Sequence, residues 1–171
     1  MTSKLHPGQP FQPLSLPQTG GEVYTFGAPG AWQILFVIRG QHCPVCKWYL
    51  AEIEKRLSVF SELGLSVAAV SADSLAQSQL MFDAAKPSFP LLYDLDEITM
   101  RRLGLYISEP RSPEETDHRF PEPALFVVSP DGVLQFINIA NAPALRPDLD
   151  RLLTGLRFTI ERQYPTRGTY K

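Results

Sequence analysis

The sequence predicts an α/β fold, a central mixed β-sheet flanked by helices, and three observations predict it. Trp32-Gln33-Ile34-Leu35-Phe36-Val37-Ile38 is apolar on both alternating faces, as a strand covered on both sides must be. Downstream, Cys46, Leu50, Ile53, Leu57 and Phe60 step by four and three residues, which makes one helical stripe over 47–63 that Gly64 stops. Leu65-Ser66-Val67-Ala68-Ala69-Val70 is short and apolar; with a helix before it, it pairs parallel to the first strand.

The other elements follow in order. Residues 1–17 are rich in proline and glutamine and suit an extended arm lying on the domain. Gly20-Gly21 is a hairpin turn leading into Val23-Tyr24-Thr25-Phe26. Ser74-Leu75-Ala76-Gln77 has the capping-box pattern, so a helix starts there and ends before Pro87. Residues 90–93 give a short strand, and 97–103 a short helix closed by Gly104. From 106 to 121 prolines and charges crowd out apolar residues, so a long loop is expected, with His118 and Arg119 on it. Ala124 to Val128, the turn Ser129-Pro130-Asp131-Gly132, and 133–139 form a hairpin. Pro147-Asp148 opens a last helix with Leu149, Leu152, Leu153, Leu156 and Ile160 on a helical period, and 165–171 is a flexible tail.

A chain of 171 residues is long enough to bury a core as a single domain, 1–171, without staples. A net charge of −2 gives no general pull toward nucleic acid or anionic lipid. No stretch approaches the ~20 apolar residues of a membrane-spanning helix, and no apolar leader follows the first residues. A cytoplasmic location is the default expectation, and there a lone Cys-x-x-Cys is redox-active more often than structural.

The chemistry of the chain is concentrated in Arg39-Gly40-Gln41-His42-Cys43-Pro44-Val45-Cys46. With Cys43 as N-cap and Pro44 as the first helical residue, the Cys46 N–H points back at the Cys43 sulfur. Unpaired N–H groups and the helix dipole favour thiolate, the nucleophilic form. Cys46, one turn on, is placed to attack an adduct formed on Cys43 and close a disulfide. Two other readings of the pair stay open: an inert core pair, and half of a zinc site, for which only three histidines remain as nitrogen ligands. Protonated, His42 would lower the Cys43 pKa; as a spacer, its ring would sit in solvent. Arg39 could supply positive potential, although a surface ion pair is the commoner use of such a residue.

Those residues, with the 14–23 lead-in, Phe89-Pro90-Leu91-Leu92-Tyr93-Asp94 and Leu125-Phe126-Val127-Val128-Ser129-Pro130-Asp131-Gly132, resemble the peroxiredoxin-like branch of the alkyl hydroperoxide reductase and thiol-specific antioxidant family. The resemblance spans about 14–160. It implies a thioredoxin-like fold with a peroxiredoxin-type N-terminal hairpin and an inserted segment. It also implies a cis proline facing the cysteines, matched by Pro123, with the backbone of Glu122 turned toward Cys43 to pair with an extended substrate. Three positions depart from pattern. Typical members carry proline and threonine or serine where this chain has Phe36 and Gly40, and an arginine where it has Pro123; thioredoxins carry a buried aspartate where it has Val37.

The expected function is thus a thiol oxidoreductase with antioxidant activity. Cys43 attacks a peroxide or a protein disulfide, Cys46 resolves the adduct, and an external thiol reductant of thioredoxin or glutathione type resets the pair. Arg39, His42, Pro44, Glu122 and Pro123 surround the chemistry, and no metal or organic cofactor is implied. The alternatives are a binding module with a non-cycling cysteine pair, or a metal carrier. The arm, the long loop and the tail are surfaces through which a homodimer could form.

Overall fold

The computed structural model describes residues 5–170. Five strands form the central sheet in the order β5-β4-β3-β8-β9: β3 is Trp32–Val37, β4 Leu65–Val70, β5 Leu91–Leu92, β8 Ala124–Val128 and β9 Leu134–Ile139. β4 runs parallel to β3, as the intervening helix requires, while β8 is antiparallel to both β3 and β9. The sheet is therefore mixed. Outside it, β1 (Leu14–Pro17) pairs with β2 (Val23–Phe26) through the Gly20-Gly21 turn. The last stretch of the proline-rich arm is thus a strand, and Phe11 and Leu14 are buried.

Strand alternation divides the core in two. Ile34, Phe36, Val67, Ala69, Leu125 and Val127 face one layer, packed by Leu50 and Ile53 of α1 (Pro44–Glu54), Phe60 of α2 (Leu57–Glu62), Met81 of α3 (Leu75–Ala85) and Leu153 and Leu156 of α5 (Leu149–Glu161). Leu35, Val37, Ala68, Val70 and Phe126 face the other, covered by Phe11, Phe26 and Met100 of α4 (Glu97–Arg102). A strand with apolar residues on both faces is what such double covering needs.

Three helix starts carry the caps their sequences spell. Ser74 and Gln77 form the reciprocal capping box, and the carboxylates of Asp96 and Asp148 accept the Thr99 and Arg151 N–H groups. In place of the single expected helix over 47–63 there are two, interrupted at Lys55 and Arg56. Neither residue is a breaker. The Arg56 guanidinium donates to the Glu52 carbonyl that the interruption leaves near it, pairs with the Glu52 carboxylate, and reaches Asp150 of α5 at 2.7 Å. A long-range tie thus holds the break.

The expected loop over 106–121 also has structure of its own. β6 (Ile107–Ser108) and β7 (Phe120–Pro121) pair antiparallel and close the segment into a ribbon, with Phe120 buried at its base. At the other end of the chain, the Thr166 hydroxyl donates to Gln135 of β9 at 2.6 Å, so the start of the tail lies on the sheet edge.

Candidate active site

β3 ends at Val37, and the chain crosses Arg39 to His42 before α1 begins at Pro44. Cys43 is the N-cap in extended conformation, Pro44 is the first helical residue, and the Cys46 N–H donates to the Cys43 Sγ at 3.3 Å. Both cysteines are free thiols, facing one another from the core side of α1's first turn. Cys43 is 1% exposed and Cys46 fully covered. Pro44 lies exposed at the helix start and contributes geometry, its missing N–H being one the helix end could not have paired.

The two thiols are unlike. A hydrogen bond from Cys46 and the Cys46 N–H, with Arg39 and the charge of Arg146 in support, pull the Cys43 thiol down to about 6 against the opposing effect of burial. Burial pushes the Cys46 thiol up, and the neighbouring Cys43 adds to that. The pair titrates as a unit whose first proton leaves near pH 6. Alkylation of Cys43 by iodoacetamide is therefore expected to rise through about pH 6 and level off near neutrality. A midpoint near the ~8.5 of an ordinary thiol contradicts the arrangement. The linkage has a definite sign: a depressed thiol pKa stabilises the fold fully above about pH 8.5. That contribution is lost as pH falls through about 6.

Arg39 is the next shell of charge. Its Nε lies 3.2 Å from Glu122 Oε2 in a mostly buried ion pair, and its guanidinium carbon sits 4.8 Å over the Phe120 ring. The other Glu122 oxygen accepts the Ser108 hydroxyl at 2.6 Å. Arg39 is thus a half-buried residue held by Glu122 and Phe120 rather than a surface partner.

Two expectations are corrected here. There is no cis peptide bond among the described residues, so Pro123 follows a trans bond. The backbone around it is already paired: the Glu122 N–H donates to the Tyr106 carbonyl at 2.8 Å and the Pro123 carbonyl accepts the Ala140 N–H at 2.9 Å. These groups serve the fold and are not free to bind a substrate strand. His42 fits neither reading made for it. Its ring packs 4.5 Å from the Phe120 ring with both nitrogens buried and unpartnered, and burial, aided by Arg39, lowers its pKa. It is a neutral packing residue beside Cys43.

The loop before Cys43 is fixed by Asp73, 1% exposed, whose carboxylate accepts the Gln41 N–H at 2.8 Å. His118 reaches over from the 106–121 ribbon to 3.5 Å from Asp73 Oδ1, and that carboxylate, with Asp117, raises its pKa. Arg119 points elsewhere, to Glu97 and Glu109.

One residue of the site had no sequence signal. Arg146, in the turn before α5, donates from Nη2 to the Cys46 Sγ at 2.9 Å. Its Nε bonds the Pro143 carbonyl at 2.9 Å, and its guanidinium lies 5.0 Å from the centre of the Tyr49 ring. Tyr49 in turn ties the same turn down through its hydroxyl to the Pro147 carbonyl at 2.9 Å. Among the described residues, no group of three or more His, Cys, Asp or Glu side chains is placed to hold a metal ion.

Comparison with known proteins places this geometry. The family model described as "AhpC/TSA family" matches residues 7–137. The chain belongs to the AhpC/TSA family. A curated relative, peroxiredoxin 2 of Sulfuracidifex metallicus, is 29% identical over 114 residues, which is 63% of this chain; the chain spans about half (50%) of that relative's length. Among solved structures, peroxiredoxin 6 of Arenicola marina superposes with a TM-score of 0.73 at 20% identity, covering 89% of this chain and 72% of that one. AhpC of Mycobacterium bovis gives 0.71 at 18% identity and covers 99% of both chains. At these identities the structural matches establish the fold, which is thioredoxin-like of the peroxiredoxin kind. Among the described residues no helix of this AhpC/TSA member is long and apolar enough to cross a membrane.

Proposed function

We propose that the protein is a thiol-dependent peroxide reductase cycling between a Cys43/Cys46 dithiol and a disulfide. The observation that carries this is the pairing of an acidified Cys43, capped by the Cys46 N–H at 3.3 Å, with a second thiol one helical turn behind it. The Cys43 thiolate attacks one oxygen of the peroxide; the O–O bond breaks, an alcohol or water leaves, and the sulfur becomes a sulfenic acid. Cys46 displaces the hydroxyl, forming the disulfide and releasing water. An external dithiol of the cell then returns both sulfurs to thiols. Family membership and the name of the curated relative support the same reading.

Of the two oxidants expected from the sequence, a peroxide suits this site better than a protein disulfide. A sulfur 1% exposed needs only a small opening of the first turn to admit a molecule of a few atoms. A protein disulfide must bring a whole chain in line with that sulfur. Of the backbone on which such a chain would lie, the Glu122 N–H and the Pro123 carbonyl are already paired, with Tyr106 and Ala140.

Hydrogen peroxide, an organic hydroperoxide and insulin, offered side by side to the reduced protein with thioredoxin or glutathione recycling systems, test the assignment. Disulfide formation between residues 43 and 46, followed by mass, should be faster with a peroxide than with insulin. Faster reaction with insulin overturns the assignment to peroxide while leaving the thiol chemistry; no Cys43–Cys46 disulfide with any of the three overturns both.

A further inference from the structure

The cycle proposed above leaves a difficulty at its second step. Cys46 is fully buried, and the neighbouring Cys43 thiolate opposes a second negative charge beside it, so Cys46 is a poor nucleophile while Cys43 is reduced. Yet it must give up its proton to close the disulfide. Among the described residues one cation is in direct contact with that sulfur, and it comes from a residue far along the sequence.

We propose that Arg146 is a catalytic residue of the resolving step: its guanidinium, 2.9 Å from the Cys46 sulfur, holds the negative charge that forms there as Cys46 attacks the oxidised Cys43. The proposal rests on the peroxide-reductase reading. The order of events follows from charge. Before oxidation the pair carries one negative charge, on Cys43, where the helix N–H group and Arg39 favour it. Once Cys43 is a neutral sulfenic acid, the repulsion between the sulfurs is gone while Arg146 stays charged. The favoured site for the negative charge then moves to Cys46. The alcohol or water released as Cys43 is oxidised carries off the Cys46 proton; as the S–S bond then forms, the S–O bond of the sulfenic acid breaks and hydroxide leaves to solvent. No other oxidant or base is needed.

The structure holds Arg146 for this task from three sides. Its Nε is tied to the Pro143 carbonyl, its plane lies against Tyr49, and the Tyr49 hydroxyl fastens the same turn at Pro147. Tyr49 stands one turn after Cys46 on α1, so sulfur and guanidinium are positioned by the same helix. The geometry therefore survives small movements of the loop. Arginine suits the position because it cannot lose its charge when buried beside a thiol, as a lysine can.

Arg146→Met and Arg146→Lys test this with two readouts. In the otherwise unchanged protein, peroxide oxidation of Cys43 is timed separately from disulfide closure, with dimedone trapping the sulfenic acid. Arg146→Met should slow closure roughly tenfold or more, the loss expected for one charge-assisted hydrogen bond. It should change the first step far less, so the trapped adduct accumulates, and Arg146→Lys should recover part of the rate. Closure at the unchanged rate overturns the proposal, as does an equal fall in both steps with a lowered melting midpoint.

The second readout is independent of turnover. In a Cys43→Ser background, the thiolate absorbance of Cys46 is titrated with and without Arg146→Met. An upward shift of the Cys46 midpoint on losing the guanidinium supports the role, and an unmoved midpoint overturns it. This measurement decides about Arg146 even if the wild-type protein fails to react with peroxide, a result that would count against the function alone.

Discussion

Cys43→Ser is expected to bring peroxide-dependent consumption of reductant down to the level seen without protein. The reason is chemical. Serine keeps the N-cap, because its oxygen accepts the same Cys46 N–H that Cys43 now accepts. It is not acidified into a nucleophile at neutral pH by that contact, and its oxygen cannot be cycled through sulfenic acid and disulfide. The fold should survive almost unchanged, so a normal melting midpoint with no turnover isolates the chemistry. Turnover persisting in that variant would falsify the assignment of Cys43 as the attacking sulfur.

Cys46→Ser separates the two sulfurs. Oxidation of Cys43 should continue, since the backbone N–H of residue 46 remains and Arg39 still faces the sulfur. The sulfenic acid then has no partner one turn away. It should accumulate, take up dimedone, and under excess peroxide proceed to sulfinic acid. A Cys46→Ser protein that turns over as fast as wild type would show that the resolving thiol comes from elsewhere.

The parts of this site legible in the sequence are those fixed by local geometry. A cysteine before a proline at a helix start, with a second cysteine three residues on, sets the sulfur-to-amide contact within four residues. The strands were legible for a similar reason: alternation along Trp32–Val37 and Ala124–Val128 reflects two covered faces whatever covers them. Arg146 was not legible because its partner is 100 residues away and its turn has no periodicity. The interruption of the first helix depends likewise on Arg56 reaching Asp150, 94 residues on. Pro123 illustrates the opposite failure. Its neighbours match a known pattern, but the committed hydrogen bonds of Glu122 and Pro123 come from Tyr106 and Ala140, which the local sequence does not mention. His42 misled because a histidine beside a cysteine suggests a charge, while the deciding partner, the buried ring of Phe120, arrives from the ribbon.

Gly40→Thr, which would restore the residue typical of the family, should instead damage this protein. Gly40 has φ of +131°, a region where side chains are strained. A Cβ there would also meet Asp73 Oδ1 at 2.5 Å and its Cγ at 3.0 Å. Asp73 cannot readily retreat: it is buried, it accepts the Gln41 N–H, and His118 stands 3.5 Å away. Backbone strain and overpacking together should cost roughly 2–4 kcal/mol. For a chain of this size that lowers the melting midpoint by about 5–15 °C. The effect should reach the chemistry, because the Gly40 carbonyl accepts the Cys43 N–H at 3.0 Å and so sets the N-cap. Displacing it should loosen the Cys46 N–H contact and move the Cys43 titration up from about 6 toward an ordinary thiol. In this chain, then, the space a threonine hydroxyl would take beside the reactive sulfur's loop is filled by a carboxylate from the end of the neighbouring strand. A Gly40→Thr protein with an unchanged midpoint and an equally acidic Cys43 would show that the loop can reshape around a side chain, and that Asp73 does not dictate the glycine.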